Sequence, residues 1–199
     1  YTIKPVVWSG VALRRQNKCE FFALIPGLGY AFGGSQSLRR RAITVVATVL
    51  YRLALARTSA VIFQNQEDRD EFVARGIVPT KKCHVVAGSG VNIDVFSVVP
   101  LPTGVPSFLM IARLLGAKGL YEYAAAAKEV KALYPEVMFH IVGPADPSPD
   151  AVPLSRVKSW HDSGVVCYHG AADDVRPYLA ACHVFVFPSY YPEGVPRSV

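Results

Sequence analysis

The chain has 199 residues, 51% of them hydrophobic, and a formal net charge of +6. That is enough apolar material for one large or two small packed domains, and it excludes a disordered chain. The positive balance favours acidic partners, whether nucleic acid, an anionic membrane or phosphorylated substrates.

In chain order, apolar strand-like runs at 20–25, 60–64, 83–87, 107–112, 137–142, 165–169 and 184–187 alternate with longer amphipathic stretches. This is the pattern of parallel sheets covered by helices, an α/β fold. In 120–134, Leu120, Tyr123, Ala124, Ala127, Val130 and Leu133 recur at three and four, predicting one buried face, and Pro135 ends the helix. The segment SVVPLPTGVP at 97–106 carries three prolines and a glycine and reads as a linker. It predicts two domains, 1–98 and 99–199, with a ligand cleft between them.

Cys19, Cys83, Cys167 and Cys182 form no CxxC pair and show no zinc spacing, so they read as reduced packing thiols of a cytoplasmic protein. The apolar run 42–51 stops at Arg52, short of the roughly 20 residues of a membrane span. The chain starts at Tyr1 without a methionine and stops at Val199 within a motif, which predicts an internal fragment.

The loop PGLGYAFGG follows the first strand. Gly27 and Gly29 fit a dinucleotide fingerprint, but Phe32 takes its third glycine position and no acidic residue follows at ribose spacing. A plain turn and a substrate loop both remain open. Asp68-Arg69-Asp70 has the spelling of a metal-chelating DxD, yet it falls in NQEDRDEFVARG, which reads as a helix beginning after Asn65. Residues two apart on a helix diverge, so no metal site is assigned. Asp173-Asp174 reads likewise as a helix start, and the five histidines receive no catalytic role.

SLRRRAITVVATVLYRLALA at 37–56 has two readings. One is a core helix with a charged start. The other is a patch for an anionic bilayer, with Arg39, Arg40 and Arg41 beside Tyr30 and Phe32.

ARLLGAKG at 112–119 places Arg113 and Lys118 where a strand gives way to a helix. Cations are poorly placed at a helix start, and a phosphate held by backbone N–H groups and both side chains resolves the conflict. The end of HVFVFPSYYPEGVPRSV lies on the same rim of a parallel sheet, so Glu193 is expected to share the crevice and accept hydrogen bonds from sugar hydroxyls. Such a pairing describes a sugar nucleotide.

YTIKPVV, PGLGYAF, FQNQEDRDEFVARG, GSGVNIDVF, ARLLGAKGLYEY, IVGPAD and DDVRPYLAACHVFVFPSYYPEGVPRS occur in this order over nearly the whole chain. As a series they resemble the retaining glycosyltransferases of family 4, of the bacterial polysaccharide-assembly type. The resemblance implies the GT-B fold, two Rossmann-like domains with parallel sheets, both incomplete here: an acceptor-side domain lacking its N-terminal part and a donor domain lacking its C-terminal part. It implies that Arg113 and Lys118 neutralise the donor diphosphate. Glu193, Gly194 and Val195 would hold the donor sugar, and Gly143 would leave room for the nucleotide. Gly27, Gly29, Tyr30 and Phe32, with Arg39, Arg40 and Arg41, fall on the acceptor and membrane side.

The implied reaction moves a sugar from a nucleotide-diphosphate donor, a UDP-sugar, to a lipid-linked saccharide, with retention and without metal or cofactor. The expected partners are that donor, that acceptor and an anionic membrane contacted from the cytoplasmic side, with no nucleic acid. A sugar-nucleotide epimerase of the same fold and an inactive donor-binding fragment are the alternatives. Pro26 replaces a histidine common in the family, Pro192 replaces an arginine, and the second glutamate of the family's pair would fall beyond Val199. No catalytic residue is therefore named.

Overall fold

The computed structural model describes residues 3–15, 19–28, 32, 38–88, 90–190 and 195, with the side chains of Arg15, Arg39 and Arg40 outside that description. The chain divides into two compact units, Tyr1–Val91 with Pro192–Val199, and Asn92–Tyr191. The division falls before the Pro-rich segment rather than within it. Phe96, Ser97 and Val99 border a cavity of about 430 Å³ together with Asp174, Arg176 and Leu179. Residues expected to act as a linker therefore pack on the second unit.

In the first unit, β1 (Phe22–Ile25), β2 (Ala60–Phe63) and β3 (Cys83–Val85) pair in parallel in that order. The helices α1 (Ile3–Ala12), α2 (Leu38–Leu55) and α3 (Gln66–Ala74) supply Val6, Tyr51, Leu55 and Phe72 to one core against Ala23, Ile25, Val61 and Phe63. Phe72 is fully buried, with ring centroids 5.0 Å from Tyr51 and 5.2 Å from Phe63. Asn65 starts α3 by accepting the Asp68 N–H at 2.7 Å.

In the second unit, β4 (Ser107–Ile111), β5 (Met138–Val142), β6 (Cys167–Tyr168) and β7 (Val184–Phe185) form a parallel sheet in the order β6-β5-β4-β7. The helices α4 (Leu120–Leu133) and α5 (Leu154–Asp162) give Leu120, Tyr123, Ala127 and Val157 to a core on one face with Met110, Phe139 and Ile141. On the other face Leu109, Val142 and Cys182 pack with Tyr178 and Leu179 of α6 (Arg176–Ala180).

All seven strands stand where the apolar runs predict them, each shorter than its run, and α4 buries Leu120, Tyr123, Ala124 and Ala127 as expected. Leu133 is the exception. It is 76% exposed at the last position of α4. The four cysteines are free thiols, Cys182 buried and Cys19 exposed.

Candidate functional site

The connection from β4 runs to β5 on one side, whereas β7 lies on the other side of β4. In open parallel sheets such a reversal opens a crevice outside the carboxyl ends of the strands, because the connecting loops diverge there. Arg113 and Lys118 both leave the loop that joins β4 to α4 at this reversal.

The loop is tightly braced. Leu114 donates its N–H to Pro144 O at 3.0 Å, Gly116 donates to Asp150 O at 2.9 Å, and Val152 donates to Leu114 O at 2.9 Å. The Ala117 N–H donates to Asp150 Oδ2 at 3.0 Å. From the other side Tyr190 donates to Ala117 O at 3.1 Å. Gly119 has φ of 82°, and a Cβ there would lie 2.4 Å from Pro188 O, so only glycine permits the segment after β7 to pass this close.

Arg113 donates from Nη1 to Asp146 Oδ2 at 2.7 Å. Its side chain is 57% exposed and that of Asp146 7%. Asp146 is held in turn by the Ser148 N–H at 2.9 Å to Oδ1. Hydrogen bonds from Ser148 first, and the Arg113 guanidinium after them, hold the Asp146 carboxyl below its ordinary range. The negative partner of Arg113 in this chain is thus a carboxylate, not only a prospective phosphate. Lys118 lies with Nζ 5.7 Å from the Phe187 ring centroid, over the chain that leaves β7.

Gly143 follows β5, and a Cβ there would lie 1.9 Å from Ala112 O. Close approach of the β4 backbone thus suffices to require this glycine, whose carbonyl accepts from the Tyr168 hydroxyl at 3.0 Å. Next to it, His140 Nδ1 and His169 Nε2 stand 3.0 Å apart, and the His169 ring lies 5.0 Å from Tyr178. Burial is the first cause that lowers both imidazoles below their ordinary value.

Other expected residues are dispersed. Gly27 follows β1 and is half-buried. Phe32 packs inward, 5.6 Å from Phe72 and 6.2 Å from Tyr51, with Arg75 over its ring at 5.4 Å. Arg41 is exposed in the first turn of α2. The Gly88 Cα faces the Val195 side chain, which a Cβ there would approach to 3.0 Å. Gly29, Tyr30, Glu193 and Gly194 lie outside the described residues, as do the side chains of Arg39 and Arg40. Asp68 is buried while Asp70 is exposed and bonded to Arg69, so the two carboxylates diverge along α3. Asp174 accepts the Arg176 N–H at 3.0 Å just before α6.

The sequence reading did not single out Asp146 and Asp150. Their signal is two carboxylates in the Pro-rich loop after β5, the strand hydrogen-bonded to β4.

Residues 105–199 match the family model described as Glycosyl transferases group 1. Over that segment the chain is similar to the group 1 glycosyl transferases. Over 191 residues, 89% of the chain, it is 31% identical to the N,N'-diacetylbacillosaminyl-diphospho-undecaprenol alpha-1,3-N-acetylgalactosaminyltransferase of Campylobacter jejuni, covering 48% of that protein. Two solved structures share the fold. Anabaena HepE in complex with UDP superposes over the whole chain and 54% of its own length, with a TM-score of 0.72 at 18% identity. A glycosyltransferase from Rickettsia africae covers 94% of the chain and 49% of its own length, with a TM-score of 0.66 at 18% identity. The chain therefore spans about half the length of the relatives it matches, and its architecture is that of the GT-B glycosyltransferases. The loop carrying Arg113 and Lys118 lies within the matched segment.

Proposed function

We propose that this chain belongs to a retaining glycosyltransferase that moves a sugar from a nucleoside-diphosphate donor, a UDP-sugar, to a lipid-linked saccharide acceptor in cell-surface polysaccharide synthesis. The observation that carries the reading is the braced loop at the switch point of the second sheet, with Arg113 and Lys118 on it. Two sources support it: the Campylobacter relative, named for a diphospho-undecaprenol acceptor, and HepE, solved with UDP.

In this reading the bond between the anomeric carbon and the diphosphate oxygen breaks, and negative charge grows on the departing diphosphate. Arg113 and Lys118, preorganised by the bracing of their loop, stabilise that charge in place of a metal ion. Asp146 engages one terminal nitrogen of Arg113 and so orients the rest of the fork toward the leaving group. The acceptor hydroxyl attacks on the face from which the diphosphate leaves, which retains configuration, and its proton passes to the departing diphosphate oxygen. Glu193, with the amides of Gly194 and Val195, takes the donor sugar on the strength of the family resemblance alone. A lipid-linked acceptor places the protein peripherally on a membrane, on the cytoplasmic side where the donor is expected.

The test is release of each nucleoside diphosphate from a panel of sugar nucleotides, with and without a lipid-linked saccharide, on the full-length protein. Acceptor-dependent release with a glycosylated lipid supports the reading. Conversion of the donor sugar without acceptor identifies an epimerase instead. For the chain alone, a melting temperature unmoved by UDP points to an inert piece, since a ligand of the folded form must stabilise it.

A further inference from the structure

Lys118 leaves a turn that has no cap of its own. Gly116–Lys118 is a single turn of 3-10 helix, and the residue before it, Leu115, has no side chain able to accept an N–H. Backbone donors at such a start need acceptors from elsewhere. They come from Asp150, 33 residues along the chain from Ala117. Its main-chain oxygen accepts the Gly116 N–H at 2.9 Å, and its carboxylate Oδ2 accepts the Ala117 N–H at 3.0 Å. Oδ1 lies against Gly116, where a Cβ would come within 3.2 Å of it. The following residues are tied to the same loop, because Ala151 bridges Leu115 and the buried Val152 donates to Leu114 O at 2.9 Å.

Each amide of the turn is thereby engaged within the chain, since Lys118 donates its N–H to Leu115 O at 3.1 Å and Gly119 donates to Gly116 O at 2.8 Å. The sequence pattern assigns these amides to a phosphate; in the fold Asp150 takes the first two. A diphosphate arriving at this turn meets the side chains of Arg113 and Lys118 instead. The peptide that joins Ala117 to Lys118 is held on its other side as well, where Tyr190 donates its N–H to Ala117 O at 3.1 Å. Asp150 and Tyr190 thus fix the backbone from which Lys118 departs. Its ammonium, 5.7 Å from the Phe187 ring centroid, hangs on a flexible four-carbon stem, so a loose backbone would add to a freedom the side chain already has.

We propose that Asp150 is a positioning residue for Lys118: by capping the turn at 116–118 it holds the ammonium where charge develops on the leaving diphosphate. This rests on the proposed function, because that charge exists only if the donor is a nucleoside-diphosphate sugar. Asp150 acts through Lys118 and not on the substrate.

The experiment is initial-rate kinetics of donor turnover by the full-length protein carrying Asp150→Ala, Asp150→Asn, Lys118→Ala, or Asp150→Ala with Lys118→Ala, each with a thermal melt. Asp150→Ala removes the side-chain acceptor and leaves the main-chain one. Its kcat is expected to fall about tenfold with a smaller change in the donor KM, because a displaced cation loses most where the charge is greatest. Asp150→Asn keeps an oxygen for the Ala117 N–H and is expected to recover kcat to within about twofold. In the Lys118→Ala background Asp150→Ala is expected to cost nothing further, since a residue that acts through another is not additive with it. Gly116→Ala crowds Oδ1 from the loop side and is expected to lower kcat in the same way, which tests the contact if Asp150→Ala fails to fold. An unchanged kcat in Asp150→Ala, a loss that Asp150→Asn does not recover, or losses that multiply in the pair would each overturn the inference. Those results leave the proposed function standing, whereas absent donor turnover by the unsubstituted protein overturns both.

Discussion

Arg113 Nη1 donates to Asp146 Oδ2 across 2.7 Å, and Asp146 is itself fixed by the Ser148 N–H. The carboxyl lies below its ordinary value of 3.8, from the Ser148 hydrogen bonds first and from Arg113 after them. A depressed carboxyl stabilises the fold above its unfolded value and loses that contribution as pH falls through the folded one. The pair is thus intact at neutral pH, and Asp146→Ala is expected to lower kcat several-fold with a smaller change in the donor KM, because Arg113 acts on charge that grows in the transition state. Initial rates over a donor series check this; a raised KM at constant kcat contradicts the orienting role.

Lys118→Ala removes the cation that the proposed function sets against the leaving diphosphate, without opening the core. Turnover is expected to fall by about a hundredfold, the scale for one preorganised electrostatic group, with the melting temperature nearly unchanged. Equal activity at saturating donor would remove Lys118 from the reaction.

His140 and His169 face each other at 3.0 Å between Nδ1 and Nε2. Burial lowers both below 6.5, helped at His140 by His169 and Lys131 and at His169 by His161. The unfolded chain therefore takes up protons near pH 6.5 that the folded chain refuses, so this contribution is fully present above 6.5 and declines as pH falls below it. Melting temperatures recorded between about pH 5 and 8 are expected to drop on the acid side. His169→Gln should flatten that slope.

The Tyr123 hydroxyl on α4 reaches Phe108 O and His140 O, each at 3.0 Å, and so ties the helix to β4 and β5. Tyr123→Phe keeps the buried ring and removes only that tie, at an expected cost of about 1 kcal/mol. Phe72→Ala, which empties the centre of the aromatic cluster in the first unit, is expected to cost about 3–5 kcal/mol. Urea titrations of the two variants compare these directly.

Much of the fold was legible in the sequence because local signals and burial agree there. Each strand is a short apolar run, Pro135 bounds α4, and Asn65 with its following acids marks α3. The position of Arg113 and Lys118 between a strand and a helix was equally plain, since it depends only on neighbours in the chain. Leu133 misled the periodic reading because periodicity assigns a face but not where the sheet beneath it ends.

What tertiary structure alone decided is who stands opposite whom. The order β6-β5-β4-β7 brings the segment after β7 beside the Arg113 loop, and the loop after β5 delivers Asp146 and Asp150 to it from 33 residues away. Gly143 is explained by the Ala112 carbonyl and Gly119 by Pro188, partners that no local pattern names. Phe32 was drawn into the core by Tyr51 and Phe72, while the apolar side of α2 turned outward. Local sequence sets the conformation of each segment through steric and burial preferences, whereas these pairings arise from the crossing of distant segments, which only the packed chain determines.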